Sequence, residues 1–344
     1  MSIYYVTIFI CLFYGVIYQQ STRTVRSTLN FVFIFSFLIV FGFRYQVGVD
    51  WFNYIEVYNR HVNSEVFFDT AELGYKAINL LAHYVNKGIV TTILLSTLLF
   101  ISFTVYGVSR LNLNPYYFFA LVSAYHFVMS GMNFTRQAVA LSVMLMAFGF
   151  LIQKRSRWFF LLTLFAGFFH ASAWCFFPLI FIGGKLRYIF LAITAIVPLL
   201  VYQMLDVYSQ YLDTEMDNAG LYLRALFLLP CTFFVFLNFK KFNSDVIIKR
   251  LMLFVILSFP FVVVVSKLSS TIADRFSYYF ILLGALLVYY QFYQLGGWQV
   301  KKLNRYGPVT LFLANIIALI TWHMFSGYVP SYMFDSYLLH WYWN

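Results

Sequence analysis

Residues 158–182 read Trp158-Phe-Phe-Leu-Leu-Thr-Leu-Phe-Ala-Gly-Phe-Phe-His170-Ala-Ser-Ala-Trp-Cys-Phe-Phe-Pro178-Leu-Ile-Phe-Ile182. An apolar helix of roughly 17–25 residues crosses a bilayer, so the stretch is long enough for a single span. The flanking charges argue otherwise. Lys154, Arg155 and Arg157 precede it, and Lys185 and Arg187 follow it. Basic residues gather on the cytoplasmic side of a membrane. If the stretch crossed once, the acidic segment 206–217 would face the cytoplasm, and Lys240, Lys241, Lys249 and Arg250 would face out. If it enters, turns near residues 170–173 and returns, the basic residues stay on one side throughout. We therefore expect two short helices meeting at Phe169-His170-Ala-Ser-Ala173, with Pro178 in the second. Non-helical backbone at membrane depth survives only where protein or water surrounds it, so the break implies a wet cavity at that level. A single tilted helix is the alternative.

Working outward, the same apolar character fills the chain. Of 344 residues, 62% are hydrophobic and 10% charged, with a mean hydropathy of +0.78. Soluble domains carry about 25% charged residues. Membrane-length apolar runs recur at 29–43, 89–106, 134–152, 251–265, 276–293 and 309–325. The run at 3–18 lacks a basic lead and a small-residue cleavage site, which predicts a retained helix. We expect one all-α, polytopic membrane domain over residues 1–344, with about 11–12 membrane segments including the broken pair near His170. The segments expected in the cytoplasm are 19–28, 107–114, 153–157, 183–187, 240–250 and 295–306. They hold 15 of the 23 Lys and Arg but, of the 12 Asp and Glu, only Asp245. On the extracytoplasmic side, residues 44–87 are expected to form a loop with short amphipathic helices, and 204–222 an acidic loop.

The net charge of +11 does not indicate nucleic acid, because the basic residues lie in short clusters between apolar runs. Cys11, Cys175 and Cys231 are too few and too scattered for a disulfide framework or a zinc site. The acidic run Asp213-Thr-Glu-Met-Asp217 lacks a partner histidine or a glycine turn, and reads as a solvated loop rather than a metal site.

Seven ionisable residues fall on the extracytoplasmic side at or near the ends of apolar runs: Arg44, Asp50, Arg136, His170, Arg224, Asp274 and Arg275. Charges at such depths are costly and point to function. Each also has a plainer reading. Arg224 can snorkel to lipid headgroups. Asp274 can pair with Arg275 or another arginine, or cap its helix. Asp50 and Asn133 can be helix caps, and His170 an ordinary hydrogen-bonded interior histidine. Arg136 at the start of a helix opposes the helix dipole, which favours an anion there. Four arginines suit a diphosphate, because guanidinium forks bind phosphate oxygens bidentately and can stabilise a leaving diphosphate. A carboxylate or imidazole could then deprotonate an attacking hydroxyl, and the residues leave Asp50 and His170 both open as that base. Aromatic residues near this face (Tyr45, Trp51, Tyr54, Tyr58, Tyr278, Tyr279, Tyr328, Tyr332 and Tyr337) could stack on sugars, although interfacial aromatic belts give the same enrichment.

Four segments are distinctive together. They are Phe43-Arg-Tyr-Gln-Val-Gly-Val-Asp50 with Asn53-Tyr54, Asn133-Phe-Thr-Arg-Gln137-Ala-Val-Ala140, Phe169-His-Ala-Ser-Ala173 and Asp274-Arg-Phe-Ser-Tyr-Tyr279. In this order the chain resembles the EpsG-like family of extracellular-polysaccharide and O-antigen polymerases of the Wzy type, over about residues 30–290. The resemblance implies a GT-C-like fold in the bacterial inner membrane, with the active site facing the periplasm or exterior. It implies transfer of a growing glycan from undecaprenyl diphosphate to the non-reducing end of a lipid-linked repeat unit, with no cofactor and no bound metal. Membrane lipid, a chain-length regulator and a flippase are the implied partners. Carried onto this sequence, Arg136, Arg275, Arg44 and Arg224 would hold the diphosphate. His170 or Asp50 would act as base, and Gln137, Asn133, Asp274, Tyr54 and Tyr278 would position substrate. The competing classes are a lipid-linked-oligosaccharide transporter, an integral-membrane acyltransferase and a non-catalytic scaffold. A transporter should show internal repeats and charges near the membrane midplane. No clear repeat is visible, and the charges sit at one face.

Overall fold

A computed structural model describes residues 1–68, 70, 72–85, 88–185, 220–242, 245–297 and 302–340. Twelve main helices carry the described chain: α1 (Ser2–Gln20), α2 (Arg23–Gly42), α3 (Trp51–Asn63), α4 (Leu73–Tyr84), α5 (Gly88–Ser109), α6 (Pro115–Val122), α7 (Thr135–Ile152), α8 (Ser156–Gly167), α9 (Gly220–Asn238), α10 (Val246–Ser266), α11 (Ser270–Gln294) and α12 (Lys302–Phe325). Among the described residues there is no strand, and eight helices are long and apolar enough to cross a membrane. The chain is an all-α, multi-pass membrane protein. The expected acidic loop lies outside the described residues, apart from the start of α9.

Burial separates the centre from the rim. α7 and α11 bury 89% and 83% of their most apolar windows, whereas the other six spans bury 28–44% and leave the rest for lipid. α7 packs against α5 and α8, and α11 against α9 and α10. Small residues let helix backbones approach in a membrane, where apolar burial alone gives no drive to associate. Gly149 shows this: a Cβ there would lie 3.2 Å from the Gly107 carbonyl.

Residues 156–185 form the expected hairpin. α8 runs to Gly167, the chain turns through Phe168–His170, and Ala171–Phe181 returns as a 3₁₀ helix containing Pro178. The two limbs touch closely enough that a Cβ on Gly167 would overlap Trp174, whose indole N–H donates to the Leu164 carbonyl at 3.3 Å. Both ends lie beside the start of α10. Lys154 pairs with Asp245 at 3.0 Å, and Arg250 donates to the carbonyls of Ile182 at 2.6 Å and Gly184 at 2.5 Å. A helix of α8's length rises only about 18 Å, so the hairpin tip stops short of the opposite face of a core about 30 Å thick. α4 closes the space above it: the N–H groups of Gly74 and Tyr75, in the unsatisfied first turn of that helix, donate to the Phe168 carbonyl at 2.9 and 3.4 Å.

Other contacts bring the basic segments to this same end. Gln153 donates to the Arg110 carbonyl at 2.8 Å, Asn30 to Ser109 at 3.5 Å, and Tyr289 to the Asn114 carbonyl at 3.3 Å. Local chemistry sets helix starts here. Asn114 accepts from the amides of Tyr116 and Tyr117 ahead of Pro115, and Asp245 accepts from those of Ile247 and Ile248. α3 and α4 lie at the opposite end, with a C-terminal strap that includes Val329–Tyr332. The strap is stitched to the segment after α2 by backbone bonds from Tyr45 to Asp335, Gly48 to Ser331 and Tyr337 to Phe43.

Candidate active site

The Arg44–Asp50 segment is fixed before its side chains matter. Gly48 has φ +101, and a Cβ there would lie 2.5 Å from the Met132 carbonyl, so only glycine fits. Next to it, the Asp50 amide donates to Asn133 Oδ1 at 2.9 Å. Asn133 thus ties the Asp50 turn to the start of α7 instead of capping that helix, which has no side-chain cap. Asp50 occupies the N-cap position of α3 but makes no capping hydrogen bond. Its carboxylate is half-buried. Burial holds its pKa above the usual aspartate value, against the opposing charges of Arg275 and Arg136.

The four arginines divide into two kinds. Arg136 and Arg275 are partly exposed and act electrostatically on Asp50 and on the His170 ring. Arg136 pairs with Glu72, with its guanidinium 5.8 Å from the Tyr54 ring and 5.9 Å from that of Tyr75. Arg275 sits 4.1 Å over the Phe134 ring and donates to Gln137 Oε1 at 2.8 Å, while Gln137 Nε2 donates back to the Arg275 carbonyl at 3.0 Å. Gln137 therefore aims Arg275.

Arg44 and Arg224 are enclosed. Arg44 is 1% exposed and donates to the Phe41 carbonyl at 3.1 Å, Thr97 at 3.0 Å and Thr135 at 3.2 Å. These bonds knit the end of α2 to α5 and α7, so Arg44 is a tie and not a surface fork, contrary to the expectation that it grips phosphate. Arg224 is buried, pairs with Asp274, and donates to Tyr278 at 3.0 Å. That arrangement replaces both the lipid-facing reading of Arg224 and the pairing of Asp274 with its neighbour Arg275. Asp274 does not cap α11 either: Ser269 does, accepting from the Ile272 amide at 3.3 Å.

The aromatic expectation also changes. Tyr278, Tyr279, Trp51, Tyr54 and Tyr332 are buried and not open for stacking, whereas Tyr328 is 62% exposed.

His170 lies at the hairpin tip, 9% exposed. Its Nδ1 is 2.6 Å from Ser172 Oγ, which is 3.0 Å from the Tyr279 hydroxyl. Sequence reading gave no role to Glu72, Ser172 or this use of Tyr279. Ser172 and Tyr279 stood inside the distinctive segments, while Glu72 stood among the other acidic residues of a long loop with nothing to single it out. A second buried histidine, His126, sits in the π-helical turn Ser123–Gly131 at 2.8 Å from Thr104, among neutral hydroxyls.

The arrangement thus brings two accessible cations, a carboxylate of raised pKa and an imidazole to one end of a membrane bundle, opposite its basic loops. Cations so placed can stabilise a dianionic leaving group, and a carboxylate tuned upward is a better proton acceptor near neutral pH. No curated protein and no solved structure matches the chain. The sequence profile of the EpsG family matches residues 27–334, nearly the whole length. The chain is therefore a member of the EpsG family, a polysaccharide polymerase-like membrane protein.

Proposed function

We propose that this protein is a glycosyltransferase that extends a polysaccharide on a lipid carrier at the extracytoplasmic face of a bacterial inner membrane. The growing glycan on undecaprenyl diphosphate is the donor, and the non-reducing end of one lipid-linked repeat unit is the acceptor. Undecaprenyl diphosphate leaves. A chain-length regulator and a flippase are the expected partners, since repeats must arrive at this face and the polymer must be stopped.

The observation that carries this reading is the pair Arg136 and Arg275, partly exposed and acting on the same carboxylate, Asp50. Two fixed guanidinium groups match the two phosphates of the leaving group, and Asp50, on which both act electrostatically, is our candidate for taking the acceptor's proton. Arg44 and Arg224 support the walls of the site, and Asn133 and Gln137 hold Asp50 and Arg275 in place. The test is purified protein in lipid vesicles with a lipid-linked repeat unit. A ladder of lengthening glycans and release of undecaprenyl diphosphate is the expected result. Wild-type protein that lengthens nothing, or Arg275→Gln and Arg136→Gln variants that lengthen as well as wild type, overturns the reading.

A further inference from the structure

The geometry points to a division of labour between the two candidate bases: His170 donates a hydrogen bond through Nε2–H and keeps its proton, and Asp50 is the base. This deepens the reading of the site as a lipid-linked glycan polymerase and rests on it.

Ser172 and Tyr279 are each 0% exposed, and each hydroxyl has one hydrogen to place. Their side-chain contacts are with His170 Nδ1 at 2.6 Å and with each other at 3.0 Å; among the described residues neither hydroxyl has another acceptor. If Nδ1 carried a proton, it would donate to Ser172. Then either the Ser172 or the Tyr279 hydrogen would be left without an acceptor among the described residues in a place closed to bulk solvent, and an unmade hydrogen bond of that kind is strongly disfavoured. If Tyr279 donates to Ser172 and Ser172 donates to Nδ1, every hydrogen is used. Nδ1 is then the acceptor, and the neutral ring carries its proton on Nε2. A histidine held in that tautomer cannot receive a proton at Nε2. It can donate to a phosphate oxygen or a sugar hydroxyl beside Arg136 and Arg275.

Asp50 differs in the required way. Among the described residues its carboxylate takes no hydrogen bond or ion pair, whereas Glu72 is committed to Arg136. In the transfer the acceptor oxygen forms a bond to the anomeric carbon and its proton passes to an Asp50 oxygen. The anomeric carbon–phosphate oxygen bond breaks, and its electron pair leaves on undecaprenyl diphosphate, with Arg136, Arg275 and the His170 N–H stabilising that charge. Asp50 afterwards releases the proton to water. Ser172 and Tyr279 are positioning residues, acting only through the ring.

Two measurements on the full-length protein in lipid nanodiscs test this. ¹⁵N NMR of histidine-labelled protein, with the His170 signal assigned by its loss in His170→Gln, is expected to show Nδ1 unprotonated and Nε2 protonated. In Ser172→Ala this preference is expected to weaken. A protonated Nδ1 in the wild type overturns the inference while leaving the polymerase reading intact. In the polymerisation assay, His170→Ala is expected to lose about 100-fold, the effect of removing one charge-stabilising donor. His170→Gln, which offers an amide N–H but cannot take up a proton, is expected to stay within about 10-fold of wild type and to keep its low-pH fall in rate. Asp50→Asn is expected to lose about 10²–10⁴-fold. If His170→Gln is as inactive as His170→Ala while Asp50→Asn remains active, His170 is the base and the inference fails. Wild-type protein that makes no polymer sinks the polymerase reading and this assignment with it, whatever the NMR shows.

Discussion

The mouth of the site and the seam beneath it are built from the same residue types and do opposite things. At the mouth, Arg136 and Arg275 are partly exposed and act electrostatically on a half-buried Asp50. In the seam, Arg224 and Asp274 pair in near-complete burial with Tyr278, and Arg44 spends its guanidinium on one carbonyl and two threonines. A cation enclosed by protein has little left to offer a ligand, even though the Nε of Arg44 and that of Arg224 have no hydrogen-bond partner among the described residues. Loss of Arg224 would strip buried Asp274 of its counter-charge, so on the proposed reading the seam is a matter of stability and the mouth a matter of rate.

The largest effect that would break this contrast concerns the seam. Asp274→Asn leaves Arg224 buried without its counter-charge, and breaking a buried pair costs about 3–5 kcal/mol. Thermal unfolding in detergent should show the loss, and replacing both partners with apolar residues should recover much of it. If Asp274→Asn keeps full stability but abolishes transfer, the seam belongs to the chemistry. At the mouth the reverse is expected: Arg275→Gln should lower the transfer rate by about 10²–10³-fold with little change in unfolding temperature.

A subtler consequence concerns pH. With the ionised form of Asp50 as the proposed base, the rate is expected to fall as pH drops through its pKa. Burial raises that pKa, so the fall begins above the ordinary aspartate range, and Arg275 and Arg136 hold it down. Removing either cation should move the acid limb of the residual activity to higher pH, measured as rate against pH. The smallest effect is expected at His126, which belongs to neither region. Among the described residues its Nδ1 has no hydrogen-bond partner, and Thr104 and Ser142 also reach the Phe100 and Ala138 carbonyls at 2.8 and 2.9 Å. His126→Leu therefore strands no donor and should change stability by no more than about 1 kcal/mol, with transfer preserved.

Much of the architecture was legible beforehand. The alternation of basic and acidic segments required residues 158–182 to turn back, and the hairpin with both ends at α10 does so. Apolar run length placed the spans, and the four distinctive segments held Asp50, Arg136, His170 and Arg275. Helix caps were less legible. Asn133 and Asp50 are both plausible caps by type, yet Asn133 is held by a backbone amide 83 positions away in sequence, a contact no local pattern encodes. Glu72 was hidden for the same reason, since its partner Arg136 lies 64 positions on.

By itself the sequence determined that the chain is a membrane bundle with its costly charges at the end opposite its basic loops. That follows from quantities that are additive along a chain: apolar length against bilayer thickness, and charge against the cost of crossing. Only the tertiary structure decided which charges stay accessible. Whether an arginine is a fork or a tie depends on what lies within hydrogen-bond distance, and for Arg44 those groups come from α5 and the start of α7. The state of His170 likewise depends on a tyrosine 107 residues away from Ser172. Depth in the membrane can be read along one dimension; partnership in a dry interior requires three.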